Sequence, residues 1–292
     1  MLEPNSSAAY AALGRRSLLT AAALSAATFA AGGRALADQA VANAVGDPEI
    51  LNFALNLEYL EAEFYLRAAT GRGLEAGDVG GTGTLGAVSG GHRVPFHTRA
   101  FQNYAWEIAK DERAHVRFLR QALGAAAVAR PRIDLDRAFT AAARAAGLIG
   151  PRQQFDAFAN EHNFLLAAFL FEDVGVTAYK GAARLISSKD VLEAAAGILA
   201  VEAYHAGEIR TLLYGAGFYA PARAISDARD RLDGGRDKDQ GIGTPDTANI
   251  VPTDQHGLAF SRSTAEVLSI VYLGGSASGF GFFPDRLNGA IR

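Results

Sequence analysis

Apolar residues in this chain recur with helical spacing. From Asp47-Pro48 the run Leu51-Asn52-Phe53-Ala54-Leu55-Asn56-Leu57-Glu58 continues to about Ala69, and Gly71 and Gly73 end it. A proline inside the start and a glycine past the end are the expected helix punctuation. A second periodic stretch runs from about Thr98 to Leu123 and stops at Gly124. A third starts near Gln153 and passes through Phe164 and Glu172 to about Ile186. After the tight connection Ser187-Ser188-Lys189-Asp190 a fourth continues to Tyr214, stopped by Gly215 and Gly217. A short Ala-rich helix fits between Pro131 and Pro151. Ser263-Thr264-Ala265-Glu266 forms a capping box ahead of one more short helix ending near Tyr272. The elements predict an all-α chain.

The stretches between these helices read as irregular. A glycine-rich segment runs from Gly71 to about Pro95, and within it Gly81-Thr82-Gly83-Thr84-Leu85-Gly86 matches G-x-G-x-x-G. A helix precedes it in place of a strand, so the match is read as a flexible loop and not as a dinucleotide fingerprint. Residues 227–257 are polar and rich in Gly, Asp and Pro, which predicts loop. The Gly-rich end, with Phe280, Phe282 and Phe283, is expected to pack as a cover on the main domain.

Two helices carry the same phrase, Glu112-Arg113-Ala114-His115 and Glu202-Ala203-Tyr204-His205. Each sets a carboxylate and an imidazole one turn apart on one face. Phe101, Ala105, Ile108, Val116, Leu119 and Leu123 fall within about 40° of Glu112 on a helical wheel. Ala195, Ile198, Ala206, Ile209 and Leu213 share the arc of Glu202. Both pairs therefore point into a core, where an unpaired charge is very costly.

The two halves of this region repeat. Glu58 is followed seven residues later by Tyr65, and Glu172 by Tyr179; Arg120 and Arg210 each follow the histidine by five residues. The pattern is a duplicated helical hairpin with the glycine-rich loop inserted in the first copy. It also separates Glu58 from Glu61 and Glu63, because Gly175 and Thr177 stand where the second copy would match the latter two. Glu58, Glu112, His115, Glu172, Glu202 and His205 then form a six-ligand set of the two-metal carboxylate kind. Four carboxylates offset two divalent ions, and oxygen with imidazole favours iron or manganese over zinc. Around this set, Tyr65, Tyr179, Glu61, Asp111 and Glu161 are candidates for secondary contacts. Glu161 either lines an access path or is solvated. The competing reading is a hydrogen-bonded relic without metal.

The 292 residues carry a net charge of −3 and 49% apolar residues, which suits one domain and gives no reason to expect nucleic acid. No cysteine occurs, so neither disulfides nor thiolate ligands enter. Gly14-Arg15-Arg16-Ser17-Leu18-Leu19, an Ala-rich apolar run and Ala35-Leu36-Ala37 predict a twin-arginine export signal over residues 1–37. The run is short for a permanent span, so no stable membrane anchor is expected after cleavage, an uncleaved anchor being the alternative. The chain then divides into a linker at 38–47, a helical domain at 48–216, and a mostly irregular extension with one short helix at 217–292.

The wording from Leu57 to Tyr65 and from Phe171 to Tyr179 resembles the desiccation-related ferritin-like proteins, exported proteins of bacteria with relatives in plants. The resemblance covers about residues 48–216 and continues more loosely through Phe260-Ser261-Arg262-Ser263-Thr264 and Gly281-Phe282-Phe283-Pro284. It implies an antiparallel four-helix bundle with a crossover between the second and third helices, and two metal ions at mid-bundle. It also implies a periplasmic or cell-surface protein that handles metal and reactive oxygen under oxidative or desiccation stress, with peroxide or dioxygen as partners, and admits a homo-oligomer. A dimanganese catalase-like activity and a non-catalytic stress protectant are the alternatives. The long loop and large tail depart from cage-forming ferritins.

Overall fold

Helix α1 (Asp47–Thr70) and helix α4 (Glu161–Ala183) are buried on nearly every side, whereas α2 (Arg99–Leu123) and α5 (Lys189–Gly215) each bury one face. A helix that is apolar all round must be enclosed; here α1 and α4 are the inner pair of a four-helix bundle. The computed structural model describes residues 45–234, 237–275 and 281–292. The proposed export signal, most of the linker and Phe280 lie outside the described residues.

The contacts fix the helix directions. Asn52 bonds Ala126 and Val128, while Ala68 bonds Val94, so α2 runs back along α1. Tyr65 meets Glu172 and Tyr179 meets Glu58, so α4 is antiparallel to α1. That makes α2 and α4 parallel, and the chain between them must return the length of the bundle. It does so through residues 124–160, which include α3 (Arg137–Ala145). The expected antiparallel bundle with a crossover is present.

Local chemistry sets the boundaries. Gly71 ends α1 with a left-handed backbone (φ 80°) and an N–H donated to Arg67. The third bundle helix begins at Glu161 and not near Gln153 as predicted. Asn160 caps it by accepting from the N–H groups of His162 and Asn163, while the N–H of Phe155 is bound to Thr140 in a non-helical path.

The glycine-rich segment also differs from its predicted state. It lies alongside residues 127–135 in a nearly continuous ladder: Thr82 with Ala127 and Ala129, Gly86 with Arg130, and the parallel pair β1 (Val88–Ser89) and β2 (Ile133–Asp134). A Cβ at Gly81 would stand 2.3 Å from the Ala127 carbonyl oxygen, and one at Gly86 would stand 2.1 Å from the Arg132 nitrogen. Here the glycines serve close backbone approach, so their density signals a packed strip.

The extension carries a second helix that the sequence reading missed. Helix α6 (Tyr219–Asp233) occupies part of the stretch read as loop, buries Ala222, Ile225, Ala228 and Arg229, and ends at Gly234 with φ 103°. Its helical periodicity was hidden because one of its inward residues is an arginine. The hairpin β3 (Gly243–Thr244) and β4 (Thr247–Ala248) follows, then α7 (Thr264–Val271), which starts at the predicted Ser263–Glu266 capping box. Phe282 and Phe283 are buried as expected, with Phe282 against Phe139 and Phe171.

Candidate metal centre

One turn of each bundle helix delivers its polar group to a common point. Glu58 comes from α1, Glu112 and His115 from α2, Glu172 from α4, and Glu202 and His205 from α5; all six are buried. His115 Nδ1 lies 3.3 Å from Glu58, 3.6 Å from Glu112 and 3.8 Å from Glu202. His205 Nδ1 lies 3.1 Å from Glu112 and 3.7 Å from Glu172. One atom each from Glu58, Glu112, His115 and Glu202 falls within 4.8 Å of the others, and so do atoms of Glu112, Glu172 and His205. Glu112 belongs to both groups.

The hydrogen-bond accounting divides the four carboxylates into two kinds. Tyr179 donates its hydroxyl to Glu58 Oε1, and Tyr65 donates to Glu172 Oε1. The second oxygen of each, Oε2, has no partner. Glu112 and Glu202 have no partner on either oxygen, and neither imidazole satisfies its Nδ1. Eight buried donor or acceptor atoms thus converge unsatisfied, each costing about 1–3 kcal/mol if left so. Among the described residues no other cluster concentrates unmet polar atoms in this way. Divalent cations fit this donor set: it offers oxygen and imidazole nitrogen without sulfur, and four negative charges.

Electrostatics among the converging side chains follow from burial and crowding. Burial, together with the charge of Glu112, raises the Glu58 pKa to about 7, although His115 opposes the shift. Burial raises Glu172 to about 8, and burial with four neighbouring carboxylates holds Glu202 well above the usual range. Glu112 goes the other way. Burial pushes it up, but contacts to His115 and His205 outweigh this and hold it low. Burial works against protonation of both histidines, yet Glu58 and Glu112 lift His115 to about 11, and Glu112 and Glu172 lift His205 to about 9.

The predicted secondary contacts separate. Tyr65 and Tyr179 orient carboxylates across the repeat. Asp111 Oδ2 lies 3.3 Å from His205 Nε2, a contact that orients the ring with Nδ1 turned inward. Glu61 is buried beside the centre but belongs to neither group. Glu161 is not at the centre. It begins α4, about 16 Å along the helix from Glu172, and accepts from the backbone of His97 and Thr98 and from the Thr98 hydroxyl. It ties down the two residues that lead into α2.

Two features escaped sequence reasoning. A Cβ at Gly175 would stand 2.1 Å from Glu202 Oε2, so the missing side chain is the seat of that carboxylate. Asp173, beside Glu172, is buried and accepts from Arg210 (2.7 Å) and Arg229 (2.8 Å). In the first repeat its place belongs to Tyr59, which accepts from Arg120 at 2.6 Å. The repeated arginines therefore make equivalent contacts, and each also binds the carbonyls of its own appendage: Gly80 for Arg120; Gln240, Gly241 and Asn249 for Arg210. Asp230, Asp233 and Asp239 form a further acidic group, already matched by Arg229, Arg262 and backbone N–H donors.

A family model described as a ferritin-like domain matches residues 46–215, the span that holds all six converging side chains. The chain belongs to the ferritin-like family. A desiccation-related protein of Craterostigma plantagineum is 31% identical over 76% of each chain, which places the protein in the desiccation-related group. A ferritin-like catalase of Nesocodon mauritianus is 29% identical over 84% of each chain. No solved structure matches the chain. No helix among the described residues is long and apolar enough to cross a membrane.

Proposed function

We propose that the protein is an exported two-metal oxidoreductase that removes hydrogen peroxide under oxidative or drying stress. The observation that carries this reading is the convergence of eight unsatisfied buried atoms on four glutamates and two histidines. Glu58 Oε2 and Glu172 Oε2 would each hold one ion, with His115 Nδ1 and His205 Nδ1 respectively. Glu112, whose oxygens fall in both groups, would serve both ions, and Glu202, with both oxygens free, would complete the Glu58–His115 side. Tyr179 and Tyr65 fix the outer glutamates by taking their Oε1 atoms. The hard donors favour iron or manganese.

Two adjacent redox ions of this kind, when bound, supply a paired two-electron exchange. The chain's own part is to hold them close, balance their charge and keep bulk water out of a site walled by buried side chains. Peroxide is favoured as the substrate because one relative is described as a ferritin-like catalase. Export is supported by Arg15-Arg16 and by Ala35-Leu36-Ala37. Elemental analysis of purified protein should find two iron or manganese ions per chain, with oxygen evolved from peroxide. Protein that folds but retains neither metal after growth in supplemented medium would sink the reading.

A further inference from the structure

Glu61 breaks the repeat that orders everything else at the centre. Its counterpart in the second copy is Gly175, so one side of the centre has an additional carboxyl facing a residue without a side chain. The Cβ position at Gly175 lies 2.1 Å from Glu202 Oε2 and 3.5 Å from Glu61 Oε1, which sets Glu61 against the carboxylate side of the centre. Glu61 is itself buried.

Glu61 also lines an apolar pocket of about 360 Å³, counting the space open to solvent. Leu57 and Leu60 of α1, Leu170 and Val174 of α4, and Val271 and Phe282 of the extension build its walls. Glu61 is the one ionisable side chain on them. Water in such a pocket finds few polar partners besides Glu61, so a small apolar guest displaces it at little cost. A charged ligand would shed its hydration here with little in return. The fitting occupant is small, uncharged and apolar.

We propose that this pocket binds dioxygen, one carboxyl away from the glutamates that would hold metal. The inference rests on the two-metal reading, in which dioxygen is a product: two peroxide molecules yield two waters and one dioxygen, one peroxide oxidised and the other reduced. It can equally be the oxidant of a reduced pair, taking two electrons and two protons to become hydrogen peroxide. The extension supplies part of the wall, which gives the tail a role at the centre beyond covering apolar surface.

Crystals of the protein with its native metals, pressurised with xenon, test the pocket directly. Xenon is expected between Leu60, Val174 and Phe282, and Val174→Phe should abolish it. Stopped-flow oxidation of the iron(II)-loaded protein by dioxygen should slow several-fold in Val174→Phe at unchanged metal content; Leu57→Phe provides a second plug. An empty pocket under xenon, or plugged variants that oxidise at the parent rate, would overturn the proposal. Slowing with peroxide but not with dioxygen would overturn it too, by assigning the pocket to peroxide. Elemental analysis keeps the two readings apart: metal-free protein defeats the two-metal reading, while xenon still decides the pocket.

Discussion

Tyr65 on α1 donates its hydroxyl to Glu172 on α4, and the repeat returns the contact through Tyr179 and Glu58. Each tyrosine occupies one carboxylate oxygen and leaves the other aimed at the centre. Tyr65→Phe removes that restraint and strands a buried acceptor, at a cost of about 1–3 kcal/mol. Metal affinity should fall roughly 10–100-fold, as when an outer partner of a ligand is lost. Tyr179→Phe should do the same at the other ion, and competitive metal titration of both variants checks the pair.

Glu112 belongs to both converging groups, whereas Glu58 belongs to one and Glu172 to the other. Glu112→Ala should therefore strip both ions, while Glu58→Ala should leave the Glu172–His205 side partly loaded. Metal stoichiometry by elemental analysis distinguishes them. Equal losses in the two variants would count against Glu112 as the shared ligand.

Stability of the metal-free protein should fall as pH rises. Glu58 and Glu172 have folded pKa values raised to about 7 and about 8, so the native state holds protons that the unfolded chain releases above its ordinary carboxylate value. Their contribution is complete below about pH 4.5 and is lost as pH climbs to about 8. His115 and His205, raised to about 11 and about 9, extend the decline above pH 6.5. Glu112 acts oppositely: its pKa is lowered, so its contribution is present above the ordinary value and lost in acid. Metal should remove the neutral-to-alkaline decline and expel protons on binding, with affinity rising as pH rises. Melting curves against pH, with and without manganese, and proton release in weak buffer test the sign.

Gly175 and Gly197 offer a matched comparison. Both are helical, and replacing glycine by alanine in a helix interior ordinarily gains about 1 kcal/mol. A Cβ at Gly197 meets nothing within 4 Å, so Gly197→Ala should stabilise. At Gly175 it would meet Glu202 Oε2 at 2.1 Å, so Gly175→Ala should show no such gain and should lose metal. Thermal melts and metal content together separate the two.

Asp173 ties the bundle to its extension. Removing its carboxylate by Asp173→Ala weakens the pairing of two fully buried guanidiniums, Arg210 and Arg229. Breaking a buried pair costs about 3–5 kcal/mol. Denaturant midpoints should drop accordingly, with proteolysis appearing first in the segment after Asp233.

Much of this arrangement is fixed by short-range chemistry, and that part is readable in the chain. Apolar periodicity with glycine stops marked the four bundle helices, because both depend on residues within one or two turns. The six converging residues were legible for the same reason: Glu58, Glu112, His115, Glu172, Glu202 and His205 sit on apolar arcs and recur in a repeat, and the structure gathers all of them. Glu161 shows where the rule stops, since it shares the face of Glu172 but lies three turns away, at a helix end. Helix α6 was missed because Arg229 faces inward, and one of its acid partners, Asp173, is distant in sequence. The glycine-rich segment looked flexible because the strand it lies against begins more than 30 residues later. Local spacing determined the helices and the faces that carry the converging glutamates and histidines. Only the tertiary structure decided which glutamate oxygens are free, what Gly175 makes room for and what lies behind Glu61, because each depends on atoms brought together from different helices.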